Sequence, residues 1–214
     1  MTVDSQNNDL LMAISADSVS ESGNVSSEVR KHLTPEEVER LRKAARRGFY
    51  GQRDEALVML MAAHGLRCAE LISLRWSDVS LDTASRGATI YVRRVKRGKD
   101  STQPLCGPEV RALRQIQRDW PENGGFVFVS ERGGPMTDSN VRKLIARLGR
   151  EAGLPFPVHP HMLRHAAGYR LVNQPGVNLR QIQDFLGHRN VANTTWYTTL
   201  TDEPFRNVAP AFKR

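Results

Sequence analysis

The chain has 214 residues, 39% of them hydrophobic and 25% charged, and its formal net charge is +8. No apolar run approaches the ~18 residues of a membrane span, and two cysteines are too few for a disulfide framework or a cysteine zinc site. What remains is one basic globular domain, and its excess of Lys and Arg indicates a polyanionic partner such as nucleic acid.

The first 32 residues predict a disordered acidic leader. They are rich in Ser, Asn and Asp and lack sustained periodicity, and residues 1–29 hold five acids without any Lys or Arg. The rest of the chain sets 31 Lys and Arg against 18 Asp and Glu, a formal charge of +13. We expect no signal peptide, because acids rather than basic residues precede the short apolar stretch 10–14.

Helical periodicity begins directly after the leader. Thr34 is a suitable N-cap, Pro35 suits the first helical position, and an apolar stripe follows at Leu33, Val38, Leu41 and Ala45. Further helices are predicted over residues 52–64, 68–74, 108–120, 137–151, 160–171, 179–186 and 191–197.

Alternating apolar residues and turn signals predict a small sheet. Strands are expected over residues 89–95, 101–105 and 126–130, and a turn at residues 97–100 joins the first two. The predicted fold class is therefore mainly α with a small antiparallel β-sheet (α+β). It forms one domain over residues 33–200, followed by a C-terminal tail at 201–214.

The domain carries the residue types that cleave a phosphodiester without a metal. Such cleavage needs a nucleophile, cations around the phosphate oxygens, a base for the nucleophile and an acid for the leaving oxygen. Neither Gly-x-Gly-x-x-Gly nor Gly-Lys-Ser/Thr occurs, so ATP-driven chemistry is not expected. A zinc helix at His161 and His165 is disfavoured, because Met162 rather than Glu follows the first His. The sequence predicts no cofactor and no metal.

Arg67 is the first candidate for a phosphate-binding cation. Gly65 ends one predicted helix and Arg67 begins the next, where the helix dipole disfavours a cation unless an anion also binds there. Glu70 lies on the same helical face and can hold the guanidinium in place. The alternative is an ordinary surface Arg–Glu pair.

His161 and Arg164 form the second candidate pair. They share one face of a helix at i, i+3, and Pro160 fixes the start of that helix. One side chain can donate a hydrogen bond to a phosphate oxygen while the other takes a proton.

The third candidate segment contains His188 and Tyr197. Gly187 ends a predicted helix, which places His188 in a connection. Tyr197 is either a buried core residue or a positioned nucleophile. Because a free tyrosine has a pKa of about 10, a nucleophilic role requires neighbouring cations and a base.

The predicted hairpin supplies a candidate general acid. Lys96 can reach the departing 5′ oxygen, and neighbouring cations lower the pKa of such a lysine toward neutrality. Lys99 is the second choice, because the hairpin register is open. The other cations in and beyond this run are expected to contact DNA phosphates: Arg93, Arg94, Arg97, Lys99 and Arg189.

The order Arg, Lys, His-x-x-Arg, His, Tyr resembles the tyrosine recombinase (phage integrase) family over residues 33–199. The likeness is closest to the small fimbrial phase-variation recombinases. Three stretches carry it: His159-Pro-His-Met-Leu-Arg-His165, Ile182-Gln-Asp-Phe-Leu-Gly-His-Arg-Asn190 and Trp196-Tyr-Thr198.

The resemblance implies site-specific DNA recombination through a 3′-phosphotyrosine. Tyr197 would be the nucleophile and Lys96 the acid, and His161 would act as general base or phosphate donor. Arg67, Arg164 and His188 would hold the phosphate. The partners would be specific double-stranded DNA sites, a homotetramer and possible accessory DNA-bending proteins.

The chain departs from many family members in one respect. Only about 32 polar residues precede the domain, too few for a separate DNA-clamping domain. Two alternatives stay open: a non-catalytic DNA-binding regulator on this fold and a type IB topoisomerase-like enzyme. Cys68 and Cys106 favour a reducing compartment, and we expect both side chains to be buried. The protein is expected to be cytoplasmic and associated with the nucleoid.

Overall fold

A computed structural model describes residues 31–82, 87–95, 98–120 and 124–188, together with Thr194. All of them lie in one compact unit, Lys31–Arg214. The predicted C-terminal tail falls outside the described residues, as does the predicted leader apart from Lys31 and His32 and the predicted helix 191–197 apart from Thr194. The domain boundaries therefore stay predictions.

The described residues form a mainly helical domain, as the sequence predicts. The helices are α1 (Pro35–Arg46), α2 (Gly51–His64), α3 (Cys68–Ile72), α4 (Gly107–Asp119), α5 (Asp138–Glu151), α6 (Pro160–Val172) and α7 (Leu179–Leu186). A short 3-10 helix covers Trp76–Asp78, and the strands are β1 (Val79–Ser80), β2 (Thr89–Val92) and β3 (Ser101–Pro104).

Side-chain caps fix where the helices begin. The Thr34 hydroxyl accepts from the Glu37 backbone N–H at 3.3 Å, and the Glu37 carboxylate accepts from the Thr34 backbone N–H at 2.8 Å. These bonds satisfy amide groups that have no partner within the helix. Thr137 and Asn178 cap α5 and α7 in the same way. The N-cap predicted at Thr34 is therefore confirmed.

The strands form one antiparallel sheet in the order β1-β2-β3. Val79 pairs with Ile90 and Tyr91 pairs with Thr102, so β2 is the central strand. The predicted hairpin is confirmed, although β1 was not predicted. The strand predicted at residues 126–130 is wrong: Phe126 and Val129 make only isolated bridges, to Arg75 and Pro135.

Helix α2 lies at the centre of the domain and packs against α1, α4 and α6. Its apolar side chains are almost fully buried, including Leu57, Leu60 and Met61. Their burial is the main driving force for assembling the helices around α2. None of the described helices combines the length and apolar character needed to cross a membrane.

Two glycines bring the ends of four helices together. Gly65 ends α2 with φ of 60°, and a Cβ there would lie 2.5 Å from the Leu186 side chain of α7. Gly187 ends α7 with φ of 64°, and a Cβ there would lie 2.7 Å from Cγ of Arg94. Only glycine tolerates both the left-handed backbone and this close approach. As a result, the C-terminal ends of α2 and α7 meet near the starts of α3 and α6.

Candidate active site

A cleft of 170 Å³ opens where these helix ends meet. It is lined by residues of α3, α5 and α6 and by the segments just before α3 and just after β2, among them Arg67, Val95, Asp138, His161 and Arg164. Three residues predicted from two widely separated motifs, Arg67 from one and His161 and Arg164 from the other, therefore share one cavity.

Glu70 organises the cations behind the cleft. Its Oε1 accepts from Arg67 Nη1 at 2.7 Å, and its Oε2 accepts from Arg94 Nη1 at 2.7 Å. Arg164 Nη1 lies 3.9 Å from the same Oε2. Burial alone raises the pKa of Glu70, but Arg94 and Arg67 outweigh that effect and hold the pKa below its ordinary value. Glu70 is therefore a buried carboxylate that fixes the guanidinium of Arg67, and the predicted contact between the two is present.

Arg164 is held by backbone carbonyl groups at both neighbouring helix ends. Its Nη1 donates to the Gly65 carbonyl oxygen at 2.5 Å, and its Nη2 donates to the Leu186 carbonyl oxygen at 2.6 Å. The residue is only 4% exposed, yet it lines the cleft. Because a guanidinium is planar and rigid, these two bonds fix the direction in which its remaining N–H groups point.

His161 stands at the second position of α6, directly after Pro160, and its side chain reaches the cleft. Partial burial lowers its pKa, and the positive charge of Arg164 and of His159 lowers it further. A neutral imidazole can accept a proton, so His161 has the protonation state that a general base requires.

His188 follows Gly187 directly after the end of α7. Its Nδ1 lies 2.9 Å from Thr194 Oγ1, and its backbone carbonyl accepts from Gln183 Nε2 at 3.0 Å. Burial, followed by the charges of Arg164, Arg67 and Arg94, lowers the pKa of His188 to about 3. The imidazole is therefore close to the cationic cluster, and it is neutral at physiological pH.

The predicted DNA-binding role of Arg94 is wrong for this structure. Its side chain is 0% exposed, because Glu70 and the Phe185 carbonyl oxygen hold its N–H groups inside the domain. Arg93 does lie at the surface, where it pairs with Asp78, and the exposed Lys99 lies 3.9 Å from Asp184. The cations of the hairpin therefore differ in burial, and their spacing in the sequence does not show which of them is buried.

Four other predicted site residues lie outside the described residues: Lys96, Arg97, Arg189 and Tyr197. Their proposed roles stay predictions. Val95, the residue before Lys96, lines the cleft. Thr194, three residues before Tyr197, is fully buried and hydrogen bonds to His188.

The structure adds cleft residues that were not predicted. Asp138 and Arg142 line the cleft and hydrogen bond to each other along α5. Cys68 also lines it, and burial together with the nearby Asp138 raises the pKa of this thiol to about 12. The i, i+4 spacing of Asp138 and Arg142 was a usable signal, but nothing in the sequence placed it beside Arg67. Cys106 is exposed, contrary to prediction.

A basic groove of 630 Å³ runs along another face of α5. Four of its lining residues are cationic: Arg53, Arg132, Lys143 and Arg147. Arg53 is buried against Asp54 and the Val129 carbonyl oxygen, whereas Lys143 is exposed. Helix α5 thus contributes residues both to the cleft and to a positively charged groove.

Comparison with known proteins identifies the family of the chain. Residues 31–203 match the model of the phage integrase family. The type 1 fimbriae regulatory protein FimB of Escherichia coli K12 is 40% identical over 183 residues, which cover 84% of this chain and 89% of FimB.

Solved structures show the same fold. The crystal structure of XerA recombinase superposes with a TM-score of 0.71 at 32% identity, covering 86% of this chain and 65% of XerA. XerH recombinase, bound to its palindromic difH substrate, superposes with a TM-score of 0.70 at 21% identity, covering 90% of this chain and 56% of XerH. The chain therefore belongs to the phage integrase family of tyrosine site-specific recombinases.

Proposed function

We propose that this chain breaks and rejoins double-stranded DNA at specific sites, with Tyr197 as nucleophile and the cleft as the phosphate site. The observation that carries the proposal is the convergence of Arg67, His161 and Arg164 on one cavity. Their motifs lie almost 100 positions apart in the chain, and a purely structural protein has no need to gather them around a void.

The cations of the cleft would stabilise the phosphate most strongly when it carries five oxygens. Arg67 and Arg164 are pre-oriented by Glu70 and by two backbone carbonyl groups, so little reorganisation accompanies the reaction. Loss of one such donor is expected to reduce the cleavage rate by about 10²–10³-fold, by analogy with oxyanion donors.

His188 would donate a hydrogen bond to the same phosphate. When the Thr194 hydroxyl donates to Nδ1, the proton of the neutral ring lies on Nε2, and Nε2 is the atom that would donate to the phosphate. Arrival of the anionic phosphate would also offset the positive charges that lower the pKa of this ring.

The chemical steps balance without a metal or ATP. The Tyr197 oxygen attacks phosphorus and passes its proton to His161, a bond from phosphorus to the tyrosine oxygen forms, and the bond to the 5′ oxygen breaks. Lys96 gives a proton to that oxygen, with Lys99 as the second choice. The 3′-phosphotyrosine conserves the energy of the broken bond, so a 5′ hydroxyl of another strand can attack it in return.

The DNA duplex would follow the positively charged path beside α5. Lys143, Arg147 and Arg132 would bind phosphates in the groove, and Arg93 and Lys99 would bind them at the hairpin, with Arg97 and Arg189 predicted to join them. The DNA in the XerH complex supports this class of partner for the fold.

The biological reaction would be inversion or exchange of a defined DNA segment. Two double-stranded sites would be held by a homotetramer, with accessory DNA-bending proteins, inside the cell at the nucleoid. A type IB topoisomerase-like enzyme and a silent DNA-binding regulator are the competing functions.

A nicked suicide substrate tests the proposal directly. Wild-type protein should become linked to the 3′ end of the cut strand, and Tyr197→Phe should bind the same DNA without forming this adduct on a denaturing gel. An adduct with the Phe variant contradicts the assignment of Tyr197. Absence of an adduct with wild-type protein favours the regulator, and relaxation of plasmids that lack a site favours the topoisomerase.

A further inference from the structure

The C-terminal end of α7 is held in place by three buried side chains. Arg94 and Gln103 both donate to the Phe185 carbonyl oxygen, Gln103 at 2.9 Å, and Arg164 donates to the next carbonyl oxygen, that of Leu186. The last carbonyls of a helix have no partner within the helix, so such donors determine where the helix end sits. His188 lies two residues after Leu186, so these donors also help to set its position.

Gln103 is 1% exposed, and its neighbours fix the orientation of its amide. A backbone carbonyl only accepts hydrogen bonds, so Nε2 must face Phe185, and it also donates to Ser101 Oγ at 2.9 Å. The amide oxygen then faces His64 Nδ1 at 2.8 Å. His64 must therefore carry a proton on Nδ1.

His64 is itself held from the other side. Its Nε2 lies 3.1 Å from Glu109 Oε1, and both atoms are buried without another hydrogen bond. The second Glu109 oxygen accepts from the Cys106 backbone N–H at 2.7 Å at the start of α4. Two acceptors do not approach this closely, so a proton lies between Nε2 and Oε1.

Glu109 and Gln103 hold the His64 ring from opposite sides. Burial raises the pKa of Glu109, but the hydrogen bond and charge from His64 and the bond from the Cys106 N–H outweigh burial and leave the pKa lowered. The Glu109 carboxylate therefore faces Nε2 of His64, and the Gln103 amide oxygen faces Nδ1.

We infer that Gln103 and His64 are positioning residues for His188, acting as a buried chain of hydrogen bonds from α4 to the end of α7. Glu109 orients His64, His64 orients the Gln103 amide, and Gln103 fixes the Phe185 carbonyl beside Arg94. Neither side chain lines the cleft. The inference rests on the proposed phosphate-binding role of His188.

A double-mutant cycle tests whether Gln103 acts through His188. Gln103→Leu keeps the approximate volume of the side chain and removes its amide, so cleavage of the suicide substrate should slow by up to about 10²-fold while affinity for the DNA stays the same. In a His188→Ala background the same substitution should cause little further loss. Gln115→Leu, which removes an exposed amide on α4, is the matched control and should cleave at the wild-type rate.

A pair of substitutions at His64 tests whether its contact with Gln103 matters more for cleavage than its contact with Glu109. The amide nitrogen of Asn superposes approximately on Nδ1 of His, and that of Gln on Nε2. His64→Asn therefore keeps a donor for Gln103, whereas His64→Gln keeps one for Glu109. The inference predicts faster cleavage by the Asn variant than by the Gln variant, and equal or reversed rates overturn it.

Hydrogen exchange gives a readout that does not depend on catalysis. In folded Gln103→Leu, the backbone amides of Gly187 and His188, which bond to Asp184 and Gln183, should exchange faster than in the Gln115→Leu control. Unchanged exchange overturns the inference. If His188→Ala cleaves like wild type, the proposed role of His188 fails and takes the inference with it. If His188→Ala is slow and Gln103→Leu multiplies the loss, only the inference fails.

Discussion

Arg94 Nη1 lies 2.7 Å from Glu70 Oε2, and both side chains are 0% exposed. A buried ion pair offers little net stability, because each charge loses its hydration, but a single unpaired member is costly. This pair links the segment after β2 to α3, and the same Glu70 carboxylate also binds Arg67. It therefore joins the stability of the domain to the geometry of the cleft.

Replacing Glu70 with Ala should destabilise the domain by about 3–5 kcal/mol, because Arg94 is then a buried charge without its carboxylate. Urea denaturation measures the change. Glu39→Ala is the control: Glu39 pairs with Arg42 at the surface, and its loss should cost at most about 1 kcal/mol. If both variants lower the free energy of unfolding equally, the Glu70–Arg94 pair contributes no more than an exposed ion pair.

Cleavage by folded Glu70→Ala should also be slower, because Arg67 loses the bond that orients it. DNA affinity, set by many phosphate contacts, should change far less than the cleavage rate. A single-turnover assay on the suicide substrate measures the cleavage rate separately from DNA affinity. It is run at a temperature at which the variant is folded. A variant that folds and cleaves like wild type contradicts the orienting role.

Gly187→Ala should impair both stability and cleavage. The substitution places a Cβ within 2.7 Å of Arg94 and forces a left-handed backbone on alanine, just before His188. Gly176 has φ of 80° but no atom within 4 Å of an added Cβ, so Gly176→Ala adds only the backbone strain of about 1–2 kcal/mol. Gly187→Ala should therefore lose more thermal stability and more cleavage activity than Gly176→Ala. Equal losses in the two variants would contradict a role for the Arg94 contact.

The sequence predicts most of the helices because their signals are local. Thr34 caps α1 and Gly187 ends α7, as the residue types at these positions indicate. The strand predicted at residues 126–130 was wrong because its conformation does not follow from local signals. Their apolar run is typical of a strand, but Phe126 bridges only to Arg75 and Val129 only to Pro135, so no continuous strand partner lies beside the run.

The sequence predicted three of the residues that line the cleft but not all of the buried residues that hold them in place. Arg67, His161 and Arg164 were found by motif, since their chemistry is legible in the sequence. The burial of Arg94 was missed because one hairpin strand carries cations to both faces of the sheet, and spacing alone does not say which face meets α7. His64 and Gln103 were missed because they are 39 positions apart and neither lies in a catalytic pattern.

Acid should destabilise the domain through His188. The pKa is lowered to about 3 in the folded state, against about 6.5 in the unfolded chain, so the unfolded state binds more protons between these values. This contribution to stability is complete above pH 6.5 and decreases as pH falls toward 3. Urea midpoints at pH 7.5 and 5.0 should therefore differ less for His188→Gln than for wild type, and identical differences would contradict the assigned shift.

Lys143→Ala should weaken DNA binding by the same factor for specific and nonspecific sequences. Lys143 is exposed in the groove along α5, where a lysine binds a phosphate as a point charge and releases a counterion. The slope of log affinity against log salt concentration should fall in magnitude by about 1. Lys43→Ala removes an equally exposed lysine from the last turn of α1, outside this groove, and should leave the slope unchanged. If the two variants share one slope, the DNA does not run along α5. If only Lys143→Ala loses affinity, and loses it at the specific site alone, the residue reads sequence rather than charge.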